Sequence, residues 1–235
     1  DVALRPGTRV FGFVPGAFAG RAITRIEALA RLPEGVDPVA AATMPVAFMT
    51  ALHGLESCAQ LQAGERVLIH GGAGAVGLAA LQLALAVGAR VAMTAGTPAK
   101  RAFLRAAGAE LVLDSRDPGF ADALRAAWGG RGDEHGVVDV VLNSLAGEAM
   151  VQSMGLLKPF GRFVELGKRD YVENTRAALR PLRRNATYFA VDVDELPRAR
   201  PNPLTPRSLT SCARRPGRCV STRSRRSSVR PARCR

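Results

Sequence analysis

An apolar run, a cluster of glycines and a second apolar run at helical spacing follow one another without a break in residues 67–84, VLIHGGAGAVGLAALQLA. Few chain paths accommodate that order. VLIH has the aliphatic, β-branched character of a buried strand, and AVGLAALQLALAVGA keeps small and aliphatic residues at the spacing of a packed helix. Between them Gly72, Gly74 and Gly77 form G-x-G-x-x-G. In that context Gly72 permits a tight turn, Gly74 lets the backbone approach a pyrophosphate, and Gly77 allows helix and strand to lie close. The helix N-terminus, at Ala75 and Val76, then faces the phosphates. Residues 67–95 are apolar enough to suggest a membrane span, but the glycines, His70 and Gln82 interrupt the run, and a buried strand–turn–helix is expected instead, with no membrane partner.

From Arg66 onward the same alternation repeats. RVLIH, RVAMT, AELVLD, VVDVVLN and GRFVEL are separated by stretches with helical periodicity. Such continuous apolar strands are expected where helices cover both faces of a parallel sheet. Residues 66–167 therefore read as a doubly wound, Rossmann-type α/β domain that binds a dinucleotide. The second strand of that unit ends in RVAMTAGTPAK, with no Asp or Glu to hold a ribose 2′-hydroxyl. It offers Thr94, Gly96, Thr97, Lys100 and Arg101 instead, a set that suits a 2′-phosphate, so NADPH is expected over NADH.

Upstream, residues 1–36 carry Gly and Pro punctuation with short β-like runs, and residues 37–65 turn helical. A preceding segment is expected to lie outside this chain, since residues 1–36 are too short to close a β-barrel. The four cysteines suggest no disulfide framework, because only Cys58 lies outside the last 39 residues, where it reads as a small buried hydrophobe in a reducing compartment. With no cleavable signal opening the chain, a cytoplasmic location is expected. His53, His70 and His135 are not spaced as a site, and no metal is expected.

The net charge of +13 is concentrated at one end: residues 197–235 hold twelve arginines and no Asp, Glu or Lys, which leaves residues 1–196 at +1. A basic arm would suggest a polyanion partner. Here no stacking aromatics or recognition helix accompany it, so no specific nucleic acid is expected.

Several stretches, in this order and spacing, resemble the medium-chain dehydrogenase/reductase superfamily, and within it the enoyl reductase domains of type I polyketide synthases and animal fatty acid synthase. They are AAATMPVAFMTALHGL, VLIHGGAGAVGLAALQLA, DVVLNSLAGEAM, LLKPFGRFVELGKRD and RPLRRNATYFAVD. The resemblance implies that residues 1–36 end a GroES-like β domain and that residues 168–196 begin the return to it. It implies reduction of an α,β-unsaturated thioester on an acyl carrier protein, beside other synthase domains. Lys168 would donate the proton to the α-carbon, with Asp192 as its companion, or Asp194 if the register slips by two. Thr50, Asn143, Ser144, Leu166 and Gly167 match family positions near the cofactor, although Ser144 also suits a helix cap. The zinc ligands of the zinc-dependent branch have no counterpart. A stand-alone zinc-independent quinone or enone oxidoreductase, and a cofactor-binding remnant without activity, are the alternatives.

After DVDEL the resemblance stops, and the Arg/Pro/Ser-rich residues 197–235 read as a disordered tail. Such a mixture is what a GC-rich coding sequence yields when read out of frame, so a frameshift near residues 196–204 is expected. Sequencing the locus and translating the other two frames should restore a reductase-like ending; if neither frame does, the frameshift is wrong.

Overall fold

The structure, a computed structural model, describes residues 4–129, 136–176 and 179–196. The predicted tail 197–235 and His135 lie outside the described residues. A six-stranded sheet organises the chain. It comprises β3 (Arg66–Ile69), β4 (Arg90–Ala95), β5 (Leu111–Asp114), β6 (Val138–Asn143), β7 (Leu157–Glu165) and β8 (Thr187–Ala190). Their spatial order is β5-β4-β3-β6-β7-β8, and every pairing is parallel. That is the Rossmann order, with its reversal between β3 and β6, so a crevice opens beyond the carboxyl ends of those two strands. The sheet runs past residue 167, where the sequence reading ended the dinucleotide domain, because Thr187–Ala190 pairs with Arg162–Glu165 as a sixth strand.

Alternate residues of each strand feed opposite layers. Val67, Ile69, Val91, Met93, Val140, Leu142 and Val164 join α2 (Pro45–Leu52), α3 (Ala75–Val87) and α4 (Pro98–Ala106) in one core. Leu68, Ala92, Val141 and Phe163 join α5 (Phe120–Trp128) and α6 (Glu148–Met154) in the other. Each such aliphatic side chain, once fully buried, contributes about 1.5–3 kcal/mol. This two-sided demand is why the strands read as unbroken apolar runs rather than as alternating ones. The α3 helix closes on Gly88, whose φ of +89° suits the left-handed cap that glycine adopts without strain.

Before the sheet, β1 (Val10–Gly12) and β2 (Leu29–Arg31) form an antiparallel pair. Two short helices follow: α1 (Pro38–Ala42), capped by the Asp37 carboxylate on the Ala40 N–H, and α2, which continues through a π-helical stretch, His53–Cys58. Cys58 is half-buried there, its Sγ 3.5 Å from His53 Nε2. A small third cluster joins Ala30 and Met49 to Phe11, Phe13 and Val193.

His70 follows β3 directly and is almost fully buried. Its Nε2 lies 2.9 Å from Ser153 Oγ, which itself donates to the Ala149 carbonyl, so the serine oxygen accepts from Nε2–H. That leaves Nδ1 as the acceptor for the Thr94 hydroxyl at 3.0 Å. Burial lowers the imidazole pKa to about 3, well below its ordinary 6.5. A group held neutral in the fold takes up its proton only on unfolding, so its contribution is complete above pH 6.5 and is lost as pH falls toward 3. Stability should therefore decline on acidification through that window, and His70→Gln should flatten the decline. The single tryptophan, Trp128, is buried, so denaturant titrations read by its fluorescence at several pH values check this.

Candidate functional site

Four glycines shape the site. A Cβ on Gly77 would stand 2.6 Å from the carbonyl oxygens of both Gly71 and Gly72, and one on Gly72 would stand 3.0 Å from Met93 Cε and Leu104 Cδ1. The start of α3 is thus pressed onto the end of β3. Gly71 holds a φ of +62°, and its own Cβ would meet Ser144 Oγ at 3.0 Å, so the loops after β3 and β6 touch at the reversal of strand order. Gly74 is the N-cap of α3 and no side chain caps this end. The first N–H groups of the helix, at Ala75, Val76 and Gly77, are therefore presented to the crevice with the positive end of the helix dipole, a setting that suits a pyrophosphate.

The second strand divides the predicted set. Thr94 is fully buried, with its hydroxyl turned onto His70 and its carbonyl accepting from the Gly72 N–H. Arg101 donates to Asp114 Oδ2 at 2.7 Å and to the Ala95 carbonyl at 3.1 Å, joining the ends of β4 and β5. Thr97 caps α4 by accepting from the Lys100 N–H, leaving the Lys100 ammonium exposed. A residue missed in the sequence joins Gly96 here: Arg116 is exposed and its Nε lies 3.1 Å from where a Cβ on Gly96 would sit. Lys100 and Arg116, rather than Lys100 and Arg101, are the cations turned to solvent at this edge. The signal was present in LVLDSR, a cation just past a strand end.

Farther along the carboxyl edge, Asn143 ends β6 and Glu165 ends β7, opposite one another in the register. Both are buried. Asn143 Nδ2 donates to Glu165 Oε2 at 2.5 Å and to the Leu145 carbonyl at 2.7 Å, while Asn143 Oδ1 accepts from the Leu145 N–H at 3.2 Å. Glu165 Oε1 accepts from the Gly167 N–H at 2.6 Å, and Leu166 N–H donates to the Asn143 carbonyl. Burial pushes the Glu165 carboxyl up, and the Asn143 and Gly167 donors pull it partly back. Ser144 is exposed, and α6 starts beyond it with Gly147 as N-cap, so Ser144 takes no part in that cap. Thr50 is buried in α2 with its hydroxyl donating to the Val46 carbonyl.

Lys168 follows immediately. Its Nζ lies 2.9 Å from Asp192 Oδ1 and 2.9 Å from Asp194 Oδ2, so both carboxylates that the sequence offered as alternatives hold the one ammonium. The Asp194 N–H donates to Asp192 Oδ1, a turn that brings the two side chains to the same side. Hydrogen bonds to Asp192 and then Asp194 raise the lysine pKa above 10.5. Beyond Lys168 the short α7 (Arg169–Val172) is fastened by Tyr171 Oη to Tyr188 Oη at 3.0 Å, with Tyr188 stacked on Phe163, and by Asp170 Oδ2 accepting from the Gly147 N–H.

Among the described residues no three His, Cys, Asp or Glu side chains come together as a metal-holding group. No described helix is long and apolar enough to cross a membrane. The tight Gly71–Gly77 turn, where added Cβ atoms would strike neighbouring protein atoms, leads into the uncapped start of α3, a donor set that suits a dinucleotide.

Comparison with known proteins agrees with this geometry. Residues 75–195 match the family model described as zinc-binding dehydrogenase. Phthioceranic/hydroxyphthioceranic acid synthase of Mycobacterium tuberculosis (strain ATCC 25618 / H37Rv) is 44% identical over 199 residues, 84% of this chain, and the chain spans 9% of the length of that relative. The nucleotide-binding subdomain of the enoylreductase domain of PpsC from Mycobacterium tuberculosis is 42% identical with a TM-score of 0.63, covering 72% of this chain and 92% of that one. The quinone oxidoreductase from Thermus thermophilus, solved alone and in complex with NADPH, is 35% identical with a TM-score of 0.64, covering 81% of this chain and 58% of that one. By sequence, strand order and glycine cradle together, the chain belongs to the medium-chain dehydrogenase/reductase superfamily, in the group formed by the enoyl reductase domains of polyketide synthases.

Proposed function

We propose that this chain is the NADPH-dependent enoyl reductase domain of a polyketide synthase, reducing the α,β-unsaturated thioester of a carrier-protein-bound acyl chain. The observation that carries the reading is the placement of Lys168, with its two carboxylates, at the same sheet edge as the uncapped start of α3. Residues 66–167 with β8 would form the cofactor-binding unit. The β1–β2 pair and residues 191–196 would lie on the substrate side, and neighbouring synthase domains would supply the carrier.

When bound, a reduced nicotinamide supplies a hydride to the β-carbon of the alkene. The chain's own residues do the rest. Ala75, Val76 and Gly77 would bind the pyrophosphate through their N–H groups. Lys100 and Arg116 would bind the 2′-phosphate, beside Gly96 and Thr97, where a small residue leaves room and the Asp114 carboxylate is paired with Arg101. Lys168 would hold a proton at Nζ, kept there by Asp192 and Asp194, and pass it to the α-carbon as negative charge develops on the thioester. Such a positioned donor is worth roughly 10²–10⁴-fold in rate. Being half exposed, Lys168 can recover its proton from solvent.

Two outcomes are expected. Arg116→Ala should weaken NADPH binding by about 10- to 100-fold, the worth of one charge-assisted bond, and leave NADH binding nearly unchanged, as fluorescence titration of each cofactor would show. Equal losses for both cofactors would remove the 2′-phosphate assignment. With a crotonyl-type carrier thioester, Lys168→Ala should lower kcat by about 10²-fold or more without altering NADPH affinity. Asp192→Asn with Asp194→Asn should move the alkaline limb of the kcat profile to lower pH, because the lysine loses what raises its pKa. A variant lacking Lys168 that turns over normally would overturn the proton-donor role.

A further inference from the structure

Glu165 is a carboxylate buried at the carboxyl end of β7, between β6 and the margin strand β8, and the chemistry proposed above leaves it without a task. A charge in that place costs several kcal/mol unless it is fully satisfied. Both of its oxygens are satisfied, and by different loops: Oε2 accepts from Asn143 at the end of β6, and Oε1 accepts from the Gly167 N–H just past β7. Asn143, in turn, spends its remaining donor and its acceptor on the backbone of Leu145. The Asn143 amide is therefore committed to the protein and faces no ligand. A Cβ on Gly167 would stand 2.8 Å from Glu165 Oε1, so a larger residue there would push that carboxylate oxygen aside. A second tie, Asp170 Oδ2 to the Gly147 N–H at 3.3 Å, joins the outer ends of the same two loops. Lys168 lies between the two ties, one residue past Gly167 and two before Asp170.

We infer that Glu165 is a positioning residue: its carboxylate clamps the 143–147 loop to the 165–168 loop and so fixes where the Lys168 ammonium stands relative to the crevice. The apolar alternative at this position would pack as well or better. It would leave the Asn143 and Gly167 donors unmet and remove this side-chain tie between the loops, each buried unmet donor costing about 1–3 kcal/mol. Glutamine is the sharper probe. Its single carbonyl oxygen can serve Asn143 or Gly167, while its amide nitrogen then faces the other donor, so one tie must open with almost no change in volume.

Amide hydrogen exchange on the full chain tests the clamp without reference to any activity. Glu165→Gln should accelerate exchange of the 143–147 and 165–168 amides together by about tenfold, while the 67–77 amides keep their rates. Acceleration in one loop only, or uniformly across the sheet, would overturn the inference. Should Glu165→Gln fail to fold, Asn143→Ser reads the same coupling from the other end, because exchange in 165–168 should quicken although the change lies in the other loop. The kinetic arm rests on the enoyl reductase reading. There kcat should fall about tenfold with NADPH affinity within about threefold of the parent. The pair Asn143→Asp with Glu165→Gln, which restores a carboxylate–amide bond in reverse, should recover part of that loss. Absence of turnover in the parent chain would count against the reading of Lys168, and the exchange experiment would still decide the clamp.

Discussion

The contact on which the rest of the molecule depends is the approach of Gly77 to the carbonyls of Gly71 and Gly72. No side chain fits there. Once the start of α3 lies against the end of β3, Leu78, Leu81 and Ala84 fall onto Val67, Ile69 and Val91, and the core on that face is set. The same contact aims the uncapped helix end at the crevice and brings Ser144 of the neighbouring loop over Gly71. Fold and binding surface are thus two results of one steric condition, which is why a glycine pattern of three positions is informative about both.

The two ends of the sheet use charge differently. At the amino end, polar groups are closed into structural pairs: Asp139 takes the Arg66 N–H and the Lys158 ammonium, Glu65 takes Arg162 in a two-point bond, and Trp128 stands between Arg66 and Arg90 with its indole N–H on Glu110. At the carboxyl end, Lys100, Arg116 and the Lys168–Asp192–Asp194 group are turned to solvent. Chemistry belongs at the end where charges remain reachable, and the buried Glu165 and His70 support that end from beneath.

Much of this was legible in the sequence. Five of the six parallel strands announced themselves as apolar runs between helical stretches, and GRFVELGK placed Lys168 at a strand end. The sixth, TYFA, did not, since it is four residues long, lies at the sheet margin and is only half-buried. Side-chain direction was the other loss. Thr94 and Arg101 stand where a ribose phosphate would be sought along the chain, yet one turns inward to His70 and the other is held by Asp114, thirteen residues later. Glu165 was visible as a charge closing an apolar strand, but only the register with Asn143 shows what it holds. Asp192 and Asp194, alternatives in the sequence, both reach Lys168, because a turn presents both.

Val193 stands between those two carboxylates and packs against the main core and against the small Ala30–Met49 cluster that Phe11 and Phe13 also join. Lys168 meets its counter-ions through the pairing of β8 with β7, while Val193 between them packs against Ala30 and Met49, far back in the chain. Contacts of such high sequence separation form late, since loop-closure entropy must be met before they are rewarded. The dinucleotide cradle, made from residues within one strand–turn–helix, can assemble early. The cradle can accordingly form before the segment carrying Asp192 and Asp194 is packed against the start of the chain.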